Sequence, residues 1–142
     1  MKMPRHVAPS GAPIRLIDLA RWAGSSLPFR DTAGQLQQQV RDRFGVRHAF
    51  LISTGRAGMT LLFQALRRLA PADRDEVILP SYTCFSVAAS AVKAGLKVRL
   101  ADLDPETLDY NLDVLERADF TRVLAIVATN LYGLPNDMPA IA

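Results

Sequence analysis

Hydrophobic and polar positions divide the chain into two stretches with different rhythms. Up to about residue 47, apolar residues are sparse and set among charges. "IRLIDLARWAG" (14–24) carries Ile14, Ile17, Leu19 and Trp22, which reads as a short helix or an extended arm. "SSLPFRDT" (25–32) reads as a loop. A polar, Gln-rich helix is expected from Thr32, as its cap, to about Arg43, with Leu36 and Val40 as a narrow apolar face. From His48 onward short apolar runs recur: "HAFLIS" (48–53), "EVILP" (76–80), "KVRLAD" (97–102) and "RVLAIVAT" (122–129). Segments of helical period separate them at 56–69, 83–94 and about 111–118. Strands alternating with helices at this spacing predict βαβ units: an α/β fold with a three-layer, mostly parallel sheet and flanking helices. "VLAIVAT" lacks alternation, as expected of a strand covered on both faces. Met59, Leu62, Phe63, Leu66 and Leu69 form the expected core stripe of the helix over 56–69.

Composition narrows the class. A chain of 142 residues with 49% hydrophobic and 22% charged residues has the makeup of one globular domain. The expected division is an arm over 1–31, which holds three prolines in its first 13 residues, and a domain over 32–142. The net charge of +3 comes from scattered arginines rather than a basic cluster, which argues against nucleic acid. No apolar stretch reaches the ~20 residues of a membrane span, and the N-terminus lacks the apolar segment of a secretory signal, so a cytoplasmic protein is expected. Cys84 is the single cysteine, which excludes an intrachain disulfide. His6 and His48 have no ligand partners at metal-site spacing and read as surface or strand-edge residues.

The candidate chemistry lies in "STGRAGMTLLFQAL" (53–66). A Ser/Thr/Gly loop between a strand and a helix N-terminus is an anion site: backbone N–H groups converge, the helix dipole adds to them, and glycine permits close approach. Ser53 and Thr54 add hydroxyls and Arg56 a forked positive charge, which suits phosphate. The alternative is that Ser53 or Thr54 only caps the helix. A nucleoside-triphosphate P-loop would need Gly-Lys-Ser/Thr, and Lys2, Lys93 and Lys97 all lie elsewhere. A dinucleotide site would need a fuller glycine pattern than Gly55 and Gly58 supply.

Together with "DEVILPSYTCFSVAASAVKAG" (75–95), "VRLADLDPETLDYNLDVLERA" (98–118) and "VLAIVATNLYGLPNDM" (123–138), this stretch resembles the N-terminal part of the large domain of DegT/StrS-type aminotransferases. These are fold-type-I pyridoxal 5′-phosphate enzymes that aminate keto sugars carried on nucleotides. The resemblance implies that Gly55, Arg56 and Ala57, with Thr54, hold the cofactor phosphate, with Arg56 standing where a small hydroxyl is usual. It places the ring-stacking position on Cys84, with Tyr82 or Phe85 as neighbouring sources of an aromatic ring. Phe85 is otherwise expected in the core. It puts Asn130, where relatives commonly carry histidine, near the cofactor, with Tyr132 beside it. Asp102 and Asp104 read as turn caps rather than metal ligands.

The same resemblance implies that the Schiff-base lysine and the acidic partner of the pyridine nitrogen come after the matched segment. No catalytic residue is therefore assigned, and Lys93 and Lys97 lie in the wrong motifs. "YGLPNDMPAIA" reads as a turn and one turn of helix, with Asn136 as a plausible cap, so a fragment is expected. A keto-sugar nucleotide, an amino-acid donor and a homodimer are the implied partners of the full-length enzyme, without nucleic acid or membrane. The rival readings are a non-catalytic binding or scaffold domain and a dinucleotide-binding domain.

Overall fold

The computed structural model describes residues 14–25 and 31–142, which fall into two compact units, Met1–Leu51 and Ile52–Ala142. The expected loop over 25–32 and His6 lie largely or wholly outside the described residues. The unit boundary puts helix α2 with the N-terminal unit, whereas the expected domain begins at that helix.

The first unit holds α1 (Leu16–Ser25) and α2 (Thr32–Phe44). Arg15 pairs with Asp18 at the start of α1, at 3.1 Å. The cap of α2 is Asp31 rather than Thr32: its carboxylate accepts the Gly34 N–H at 2.8 Å. A charged oxygen at that position both satisfies a free donor and meets the positive end of the helix dipole.

The second unit holds α3 (Gly55–Leu69), β1 (Glu76–Pro80), α4 (Phe85–Lys93), β2 (Lys97–Ala101), α5 (Leu112–Glu116), β3 (Val123–Ile126), a 3-10 turn (Leu131–Gly133) and α6 (Met138–Ile141). The strands form one parallel sheet in the order β2-β1-β3, with Val77 opposite Val98 on one side and Ala125 on the other. Successive residues of the central strand point to opposite layers. Val77 and Leu79 join Phe63, Ala91, Ala94 and Leu96 beneath α3 and α4, while Ile78 joins Ala101, Tyr110, Leu115 and Val123 on the other face. Tyr110 donates its hydroxyl to the Val127 carbonyl at 2.8 Å, and burial, aided by Asp109, pushes its phenol above the ordinary range.

Three expectations are corrected here. "HAFLIS" forms no strand: Phe50, Leu51 and Ile52 are exposed, and the described sheet consists of β2, β1 and β3 alone. In α3 only Thr60 and Phe63 are buried, while Leu62 and Leu69 are exposed, since the small sheet covers one side of the helix only. β3 is shorter than "VLAIVAT" and buried only at Val123, as befits an edge strand.

The amino ends of the strands are pinned by charge. Asp75 receives a bidentate Arg122 at 2.7 and 2.8 Å and Lys97 at 2.9 Å, and Glu76 pairs with Arg99 at 3.3 Å. Arg122, with Lys97 second, holds the Asp75 carboxyl down to about 2. A folded-state value below the unfolded ~3.9 contributes stability that is present above about pH 4 and is lost as pH falls toward 2. Urea midpoints measured from pH 6 to pH 2 are therefore expected to show a shallower acid decline in Asp75→Asn than in wild type. Equal slopes would remove Asp75 from the account.

Candidate functional site

With the amino ends of the strands tied together, the carboxyl edge is where the chain can receive a ligand. The chain leaves β1 for β2 on one side and then crosses to β3 on the other. The carboxyl ends of β1 and β3 therefore flank a topological switch point, where open α/β sheets bind ligands.

Thr54, in extended backbone, caps α3: its Oγ1 accepts the Ala57 N–H at 3.1 Å and its carbonyl accepts the Gly58 N–H at 3.0 Å. Among the described residues the Gly55 and Arg56 N–H groups have no acceptor, so two backbone donors point from the positive end of a 15-residue helix. A Cβ added at Gly55 would meet nothing within 4 Å, so a ligand oxygen can come close. The capping and anion readings of this loop are compatible: Thr54 takes one donor and leaves two.

The loop is held on α4. The Arg56 carbonyl accepts from Thr60 Oγ1 at 3.0 Å and from Ser90 Oγ at 3.3 Å, and both hydroxyls are buried. Beside it runs a groove of about 310 Å³, lined by Thr54, Arg56, Thr60, Ser90 and Lys93 among others. Lys93 was not legible as part of this site. In sequence it is the last residue of a helix 37 positions after Arg56, and only the packing of α4 against α3 brings the two cations to one groove.

Cys84 precedes α4, exposed, with Sγ 3.0 Å from Ser86 Oγ. The Ser86 hydrogen bonds, with the Arg56 charge adding to them, hold the thiol below its usual range, so Cys84 and Arg56 share one electrostatic neighbourhood. Tyr82 reaches Tyr132 across the crevice, hydroxyl to hydroxyl at 2.8 Å. Phe85 is not core: it is 83% exposed at the first position of α4, because α4 turns its opposite side to the sheet. Asn130 accepts the Asn136 N–H at 3.2 Å, which commits its carbonyl oxygen to the loop.

The remaining polar residues are structural. Asp104 accepts the Glu106 and Thr107 N–H groups at 2.8 and 3.1 Å, as a turn cap does. The cap of α6 is Asp137 rather than Asn136: its carboxylate accepts the Ala140 N–H at 3.2 Å, while the Asn136 side-chain amide donates to Asp109 at 3.0 Å. No group of acidic, histidine or cysteine residues suited to a metal occurs among the described residues, and no described helix is long and apolar enough to cross a membrane.

Fold and edge together define an α/β protein with a three-stranded parallel sheet, a topological switch point between β1 and β3, and, at the start of α3, two backbone donors without acceptors among the described residues. The sequence profile of the DegT/DnrJ/EryC1/StrS aminotransferase family matches residues 28–142, and the chain belongs to that family. It is 32% identical over 114 residues to the GDP-4-keto-6-deoxy-D-mannose 3-dehydratase of Yersinia pseudotuberculosis, covering 78% of this chain and 29% of the relative. It is 33% identical over 106 residues to a UDP-N-acetyl-3-dehydro-alpha-D-glucosamine 3-aminotransferase of Acidithiobacillus ferrooxidans, covering 75% and 28%. The chain thus spans less than a third of the length of these relatives. In three dimensions it is similar to E. coli GDP-4-keto-6-deoxy-D-mannose-3-dehydratase with bound hydrated PLP, with a TM-score of 0.70 and 25% identity over 87% of this chain and 32% of that one. The sugar aminotransferase CalS13 of Micromonospora echinospora shares the fold, with a TM-score of 0.70 and 23% identity over 87% of this chain and 34% of that one.

Proposed function

We propose that this chain supplies the phosphate-binding part of the cofactor site in a pyridoxal 5′-phosphate-dependent enzyme that aminates a keto sugar carried on a nucleotide. The observation that carries the reading is the α3 N-terminus: two N–H donors, at Gly55 and Arg56, without acceptors among the described residues, beside a groove that Arg56 and Lys93 line, in a chain of this family. Gly55 and Arg56 would hold the phosphate through their amides, and Arg56 and Lys93 would neutralise it. Ala57 contributes by presenting its N–H to Thr54 rather than to the ligand, and the Thr54 hydroxyl hydrogen stays free to donate. Cys84, Tyr82 and Phe85 would face the cofactor ring, with Asn130 at its rim.

When bound, pyridoxal phosphate supplies an electron-withdrawing pyridine that eases proton removal from the substrate carbon. None of the described lysines is proposed to form the Schiff base. Lys97 is paired with Asp75 at the amino end of β2, the opposite end of the sheet, and Lys93 belongs to the phosphate groove. The resemblance assigns that lysine, and the acidic partner of the ring nitrogen, to later segments. An amino-acid donor, a homodimeric assembly and a cytoplasmic setting belong to the same proposal.

The test is titration of the 142-residue chain with pyridoxal 5′-phosphate, followed by absorbance, with inorganic phosphate as competitor. Arg56→Ala is expected to weaken binding roughly tenfold, the worth of one charge-assisted hydrogen bond. Unchanged affinity would remove the Arg56 side chain and leave the amides. Retention of NAD without pyridoxal phosphate would instead establish a dinucleotide site, and binding of neither would favour the scaffold reading.

A further inference from the structure

The tie between Tyr82 and Tyr132 is not explained by holding phosphate. Tyr82 lies in the loop after β1 and Tyr132 in the turn after β3, so their 2.8 Å contact spans the two sides of the switch-point crevice. A second, longer hydroxyl contact, Thr83 to Thr129 at 3.4 Å, joins the same two segments. Tyr132 sits at φ 54, ψ 17, a left-handed backbone that a residue with a Cβ adopts only where its surroundings hold it. Asp109, which accepts from Asn136 and from the Asp137 N–H at 2.6 Å, anchors the far end of the same loop. Both rings stay largely exposed, Tyr82 at 56% and Tyr132 at 79%, so packing does not account for the arrangement.

Two phenols carry two O–H donors. One is consumed in the bond between them, and the other remains free. We infer that Tyr82 and Tyr132 form a clasp across the crevice that presents this free O–H, beside two ring surfaces, to a planar oxygen-bearing ligand. The inference rests on the cofactor reading proposed above and adds Tyr132 as a positioning residue. Holding the turn in its left-handed form before the ligand arrives removes an ordering cost from binding.

The test compares Tyr82→Phe, Tyr132→Phe and the double variant for affinity toward pyridoxal 5′-phosphate and toward inorganic phosphate. Each single variant breaks the clasp but leaves the other phenol with its O–H free, and is expected to bind pyridoxal phosphate roughly fivefold more weakly; the double variant, which also lacks that donor, is expected to lose roughly a further five- to tenfold. Phosphate affinity is expected to stay within about twofold, because α3 is untouched. Wild-type binding of pyridoxal phosphate by both single variants would overturn the clasp while leaving the cofactor reading intact. An equal loss toward inorganic phosphate, or a double variant no weaker than the single ones, would also overturn it. No binding by wild type would overturn the cofactor reading and the ligand role of the clasp together. A readout without ligand is the ring-carbon NMR titration of Tyr132. The Tyr82 bond holds its phenol above the ordinary range, and Tyr82→Phe is expected to bring it back. An identical titration in the two proteins would mean that the pair does not form in solution, which overturns the clasp whatever binds.

Discussion

Replacing Phe63 with alanine is expected to destabilise the C-terminal unit by about 3–5 kcal/mol, the usual cost of truncating a buried aromatic ring. Phe63 is 2% exposed and is the largest side chain in the cluster under α3 and α4, packed with Val77, Leu79, Ala91 and Leu96. Alanine would leave a cavity walled by a β-strand, which cannot collapse without breaking its pairing on both edges. Against a typical total stability of 5–15 kcal/mol, such a loss is large. It also bears on the site, because Phe63 holds the helix whose first turn carries the free Gly55 and Arg56 N–H groups. Urea unfolding should show the loss, and Phe63→Leu should recover much of it. A change below about 1 kcal/mol in Phe63→Ala would mean that α3 is not anchored through this ring.

Gly95→Ala is the second large effect, expected at about 2–4 kcal/mol from two sources that act together. Gly95 ends α4 at φ +80, with its N–H on the Val92 carbonyl and the Leu96 N–H on the Ala91 carbonyl at 3.0 Å. This is a Schellman end with a left-handed residue, where a Cβ costs roughly 1–2 kcal/mol. In addition, an alanine Cβ would stand 2.2 Å from Arg67 Nη1, which donates to the Ala94 and Gly95 carbonyls at 3.2 and 2.7 Å. Arg67 would have to leave, and each lost bond weakens the seam by about 1 kcal/mol. Comparing thermal unfolding of Gly95→Ala with that of Arg67→Ala separates the two contributions. If Gly95→Ala were no worse than Arg67→Ala, the backbone argument would fail.

Much of the architecture was legible because parallel α/β folds write their period into the chain. "EVILP", "KVRLAD" and "RVLAIVAT" became the three strands, and the apolar stripe of 56–69 became α3, because local spacing and burial agree there. "HAFLIS" was misread for a definite reason. Its residues suit a strand, but a strand exists only with a partner, and pairing is a relation between distant segments. Leu62 and Leu69 were misplaced in the core likewise, since periodicity gives the apolar side of a helix but not how much of it is covered. Cap residues slipped by one position at Asp31 and Asp137, where two neighbouring oxygens could each have served and backbone geometry chose.

The candidate site divides along the same line. By itself the sequence determined the α/β class, the Gly55–Arg56 loop at a helix N-terminus and the family resemblance, because each is written in residues that are neighbours along the chain. Only the tertiary structure decided that Thr54 caps without closing the loop, that Lys93 comes to the groove of Arg56, that Phe85 stands outside the core, and that Tyr82 meets Tyr132. Those outcomes depend on which distant backbones pack together, and the pairing of β1 with β3 brings residues 50 positions apart within one hydrogen bond.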